Sequence, residues 1–94
     1  MLPKQREGLS LQPVGDEMLV LDLQADVIHQ LNATATWIFE QCDGHTSFDT
    51  LVDDLSRAFD LDRVRIEADV RDTLAHLRSL SLIEYNDNTP HRKG

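Results

Sequence analysis

Apolar and polar residues alternate over Leu9-Ser10-Leu11-Gln12-Pro13, the period-two pattern of a half-exposed strand. Pro13 falls near the end of that run, where a missing N–H costs little. Gly15-Asp16 supplies a turn signal. Met18-Leu19-Val20-Leu21 then forms a compact run suited to a second strand, ending at Asp22. Leu23-Gln24-Ala25-Asp26 leads to a third, Val27-Ile28-His29-Gln30-Leu31. Three short strands with tight links predict an antiparallel meander.

The period changes at Asn32, a residue able to cap a helix whose apolar side carries Ala35, Ile38, Phe39 and Cys42. Asp43-Gly44-His45 is expected to end that helix, with Gly44 in the left-handed position. Thr46-Ser47-Phe48-Asp49 reads as a capping box opening a second helix, with Phe48, Leu51, Val52, Leu55 and Phe59 as its stripe. Asp60-Leu61-Asp62 breaks it. A third helix carries Ile66, Val70, Leu74, Leu77 and Leu80, and Leu82-Ile83-Glu84-Tyr85 reads as a short closing extension. The predicted order is β-β-β-α-α-α: an α+β domain over residues 9–85, with a frayed lead-in at 1–8 and a polar tail at 86–94.

Composition narrows the function. The 94 residues hold 9 Lys+Arg against 17 Asp+Glu, a net charge of −8, and no Lys or Arg lies between Glu7 and Ser56. Ten acids do. Phosphate backbones are met with clustered Lys and Arg, so nucleic acid is a disfavoured partner. The longest apolar run is the four residues Met18–Leu21, far short of the ~20 a membrane span needs. One cysteine, Cys42, excludes an internal disulfide and fits a reducing, cytoplasmic setting.

Candidate chemistry is sparse. Cys42-Asp43-Gly44-His45 has a Cys-x-x-His spacing, yet no second ligand pair accompanies it, and Cys42 falls on an apolar stripe. Asp53-Asp54 and Asp69…Asp72 are carboxylate pairs on the outer faces of helices, where solvated charge accounts for them. No phosphate loop, nucleophile elbow or His-Glu-x-x-His occurs. We therefore expect no catalytic residues, no metal and no cofactor. Trp37 sits between core positions and reads as a boundary residue. The third strand is more informative, because Val27–Leu31 lacks the Lys, Pro or formal charge that usually blunts a sheet edge. Such an edge can accept another chain as an added strand unless the third helix covers it.

The segment His29-Gln30-Leu31-Asn32-Ala33-Thr34-Ala35 resembles a junction of the PqqD family, small peptide-recognition proteins of pathways that modify ribosomally made peptides. The likeness runs on through Ile38, Asp43-Gly44 with Thr46, Leu51…Leu55, Asp69-Val70, Leu74, Leu77 and Leu82-Ile83. It implies a winged-helix-like fold, three antiparallel strands on three helices, that captures the leader segment of a precursor peptide. It further implies a groove lined by Val27, Ile28, His29, Gln30 and Leu31, with Asp69, Val70, Thr73, His76 and Leu77 from the third helix. A peptide-modifying enzyme would be the second partner, and the chain would be a monomer or homodimer. Leu19–Asp26 departs from the Pro-Glu-containing stretch of members in pyrroloquinoline quinone synthesis, which favours a related pathway. Ser81 stands where the family commonly has Gly. Two other readings remain: a winged-helix DNA-binding regulator, whose third helix carries Arg63, Arg65, Arg71 and Arg78, and a homodimeric scaffold paired through its edge strands.

Overall fold

The computed structural model describes residues 2–86, in the order β1 (Leu2–Gln5), β2 (Leu9–Val14), β3 (Glu17–Asp22), β4 (Val27–Leu31), α1 (Ala33–Glu40), α2 (Phe48–Phe59), α3 (Arg63–Ser79) and β5 (Ile83–Asn86). Strands β2, β3 and β4 form the expected antiparallel meander. Val14 and Glu17 pair across Gly15-Asp16. Gly15 has φ +65° and Asp16 does not share the positive sign, the pattern of a type II′ turn, whose twist suits a hairpin. Met18, Val20 and Leu31 turn to the helices and are buried.

Helix α1 is capped as expected, with Asn32 Oδ1 accepting from the Ala35 N–H at 2.8 Å. Its end differs. The Gln41 and Cys42 N–H groups donate to Ile38 and Phe39 carbonyls, both at 3.1 Å, so the helix tightens and stops at Glu40. Gly44 takes its positive φ of +83° beyond that stop, where its N–H meets the Pro3 carbonyl at 2.9 Å. The cap of α2 shifts by one residue. Asp43 Oδ1 accepts from the His45 N–H (2.8 Å) and the Thr46 hydroxyl (3.0 Å). Thr46 is thus taken by the loop, and Ser47 caps α2 through the Thr50 N–H.

The lead-in expected at residues 1–8 contains a strand. β1 pairs antiparallel with β5, placing Pro3 opposite Tyr85 and Gln5 opposite Ile83. Pro3 is buried there. The closing extension at Leu82–Tyr85 is therefore half of a two-stranded sheet; the expected tail from residue 87 onward lies outside the described residues.

One core joins the layers. Val20, Ile38, Phe39, Leu51, Val52, Leu55, Val70, Leu77 and Leu82 are fully buried, each large side chain contributing roughly 1.5–3 kcal/mol by leaving water. α3 packs mainly on α2, α1 and β5. It ends in a Schellman motif: the Leu82 N–H donates to the Leu77 carbonyl (3.0 Å) and the Ser81 N–H to the Arg78 carbonyl (2.9 Å). Ser81 has φ +61°, the conformation glycine takes most cheaply. No helix among the described residues is long and apolar enough to cross a membrane.

Candidate functional site

The outer side of β4 is paired with no strand among the described residues. Which of its groups face outward follows from the first hairpin. A two-residue turn closes on a hydrogen-bonded pair, Val14 and Glu17, and bonded pairs then alternate along the ladder. Pro13, with no N–H to give, falls opposite Met18 in a non-bonded pair, as that phase requires. Carried across β3, the same phase makes Met18–Leu31, Val20–His29 and Asp22–Val27 the bonded pairs. The N–H and C=O of Ile28 and Gln30 therefore point away from the sheet. Ile28 is 64% exposed and Val27 43%; Gln30 is exposed and His29 half-buried.

Beyond the C-terminal end of β4 opens a cavity of about 400 Å³ between the start of α1 and one face of α3. Asn32, Thr34 and Ala35 form one wall, and Asp69, Asp72, Thr73 and His76 the other. Helical spacing places these α3 residues on one face. Asp69, Thr73 and His76, which the family resemblance implied as groove residues, are thus in the lining of this cavity. Val70 and Leu77 are not: both are fully buried, as is nearly all of Leu31. Their place in the apolar stripe of α3 sends them into the core, so they support the groove from beneath. Asp72, Asn32, Thr34 and Ala35 were not anticipated as lining. Asp72 had a signal, since it lies three residues after Asp69.

The other candidates resolve as local structure. The Cys42 thiol is buried and donates to the Ile38 carbonyl at 3.2 Å. Burial, and then the neighbouring Asp43 charge, pushes its pKa up to about 12, so the reactive thiolate is suppressed. The arginines of α3 are mostly engaged. Arg63 pairs with Asp53 and lies 3.7 Å from Glu67, Arg71 sits 5.9 Å over Phe48 and Arg78 5.1 Å over Tyr85.

Arg6, which the sequence did not single out, ties together distant parts of the chain. Its guanidinium pairs with Asp22 at 2.5 Å, donates to the Ser81 carbonyl at 2.6 Å and reaches Gln24 Oε1 at 3.2 Å. Asp22 Oδ1 accepts from the Gln24 and Ala25 N–H groups, both at 3.1 Å. The Ala25 N–H, followed by Arg6, holds the Asp22 carboxyl below its ordinary pKa. One side chain thus joins the chain after β1, the β3–β4 loop and the end of α3.

With this geometry in place, residues 17–83 match the family described as Coenzyme PQQ synthesis protein D (PqqD). The chain belongs to the PqqD family. Two solved structures share the fold. TbiB1 in complex with the TbiA(beta) leader peptide is 27% identical, with a TM-score of 0.78, over 89% of this chain and 99% of that one. A lasso peptide synthetase B1 complexed with the leader peptide is 20% identical, with a TM-score of 0.79 over the same shares; at that identity the likeness speaks for the fold. No curated protein matches the chain. The PqqD match starts at β3 and ends at the first residue of β5, so it takes in β4 and the cavity between α1 and α3.

Proposed function

We propose that this PqqD-family chain is a non-catalytic, cytoplasmic peptide-recognition module. It captures the leader segment of a precursor peptide as a strand added to β4 and presents the rest to a modifying enzyme. The observation that carries this is the unpaired outer edge of β4, which leads at Asn32 into the α1–α3 cavity. The 27%-identical TbiB1, solved with a leader peptide, supports it. In strand addition the main chain supplies affinity and alternate side chains supply selectivity. Ile28 and Gln30 would bond the leader backbone, each bond worth about 0.5–1.5 kcal/mol net. Asp69, Asp72, Thr73 and His76 would read its side chains. Holding the leader raises the local concentration of the attached segment at an enzyme bound to the same module.

The test is fluorescence polarisation with labelled leader peptides from short reading frames beside the gene. Saturable binding near micromolar, weakened at least tenfold by Ile28→Pro in a folded protein, is the expected result. Binding untouched by the proline would place the peptide elsewhere. Absence of binding to every neighbouring peptide, with sedimentation showing a dimer closed through β4, would favour the scaffold reading.

A further inference from the structure

A second cavity, of about 370 Å³, lies on the other side of α1, under the β2–β3 turn. Asn32, Thr34 and Ala35 face the first cavity, whereas Ala33, Thr36, Trp37 and Glu40 face this one. Its apolar part is a half-buried Trp37 with Phe59, ring centroids 6.4 Å apart at 80°, and Phe59 is 42% exposed at the end of α2. Its polar part is Asp16, Glu17 and Glu40. Glu17 accepts from Gln30 at 3.1 Å; Asp16 and Glu40 have no partner among the described residues.

The molecule itself shows what suits such rings. The half-buried Phe48 and Tyr85 each lie beneath an arginine of α3. Among the described residues Trp37 and Phe59 have none. A guanidinium would stack on an aromatic face while its fork meets a carboxylate, a combination that favours Arg over Lys.

We propose that this cavity docks an arginine side chain from a basic segment of a partner protein, while β4 and α3 hold a peptide on the opposite side of α1. Naming that partner as the enzyme that processes the captured peptide rests on the peptide-capture reading; the preference for arginine does not. The two cavities share no lining residue, so both can be filled together.

Trp37 is the only tryptophan, so its emission reports this cavity directly. The full chain is titrated with the capped peptide acetyl-Leu-Arg-Arg-Leu-amide, and in parallel with the same peptide carrying citrulline for arginine. The expected result is a saturable change in Trp37 emission, at least fivefold weaker for the citrulline peptide and for the Asp16→Asn/Glu40→Gln variant. Both substituted side chains are exposed, and circular dichroism checks that the variant is folded. Leader binding by polarisation should stay within twofold in that variant. No saturable change up to millimolar peptide, or equal responses to arginine and citrulline, would overturn the proposal. So would sedimentation showing that a second copy of the chain covers Trp37. Absence of leader binding by the unaltered chain, with an intact Trp37 titration, would count against peptide capture alone.

Discussion

The two edges of the β2-β3-β4 sheet belong to one ladder and share its hydrogen-bonding phase, but they differ in what they offer. On β2 the outward-facing positions are Leu9, Leu11 and Pro13, and proline removes a donor from that row. The strand is exposed along nearly its whole length, and only its end, at Pro13, reaches a cavity among the described residues. On β4 the outward positions, Ile28 and Gln30, keep both donors, and the strand runs into a cavity walled by α3. An edge becomes a binding site when its backbone row is complete and a second element stands beside it to read side chains. β4 meets both conditions, whereas β2 lacks the complete row.

The comparison breaks most sharply with a matched pair of prolines. Ile28→Pro should weaken leader binding by at least tenfold, because it deletes one outward donor and constrains the strand. Leu11→Pro deletes an outward donor on the opposite edge and should leave affinity within twofold. Polarisation measures both, with circular dichroism confirming the fold. Equal losses would mean that the prolines act through the sheet as a whole.

Much of this arrangement was legible in the sequence because it rests on local periodicity. Leu9–Pro13 alternates, Met18–Asp22 and Val27–Leu31 are short β-compatible runs, and Asn32 marks the change to helix. The helix stripes gave the core, and Val70 and Leu77 in fact follow their stripe rather than the groove that the family resemblance assigned them. β1 was not legible. Leu2-Pro3-Lys4-Gln5 shows no alternation, and its partner lies about eighty residues away in β5, a distance that no local pattern spans. The role of Arg6 was hidden for the same reason, since its partners Asp22 and Ser81 come from opposite ends of the chain.

Arg6 bears on why β4 holds its place. Asp22 ends β3 and begins the loop into β4, so its ion pair and its bonds to Gln24 and Ala25 set where β4 starts. A carboxyl whose folded pKa is depressed contributes stability that is fully present above its unfolded pKa, near 4, and is lost as pH falls through the folded value. Asp22→Asn should therefore lower the melting temperature at pH 7 and flatten its decline below about pH 4. Arg6→Ala should lower it at both pH values. Thermal melts from pH 2.5 to 7 test this, and parallel curves for wild type and Asp22→Asn would assign the acid sensitivity to other carboxylates.

A smaller effect separates backbone capture from side-chain reading. Asp69 and Asp72 stand on the α3 wall with Thr73 and His76. Neutralising both, as Asp69→Asn/Asp72→Asn, should weaken leaders that carry Lys or Arg by about three- to fivefold, in line with roughly 0.2–1 kcal/mol for an exposed ion pair. Uncharged leaders should be unaffected. The difference should fade at high salt, because exposed pairs are screened. A loss independent of both leader charge and salt would show that the carboxylates shape the wall instead of reading charge.

The smallest prediction isolates the support of the groove from the groove itself. Ser81 is held at φ +61° by the Schellman bonds from Ser81 to Arg78 and from Leu82 to Leu77. Its side chain is exposed and carries none of these bonds; its carbonyl receives Arg6. Ser81→Gly keeps that carbonyl and removes the left-handed penalty of about 1–2 kcal/mol. It also gives the unfolded chain more freedom to lose, which returns about 0.5–1 kcal/mol. The net should be a gain of about 0.5–1 kcal/mol, which in a domain of this size raises the melting temperature by about 2–8 °C. Leader affinity should not move, because β4 and the groove-facing side of α3 are untouched. A gain in both stability and affinity would mean that the end of α3 still shifts when peptide binds, and the β4 edge would then owe its readiness to the same turn.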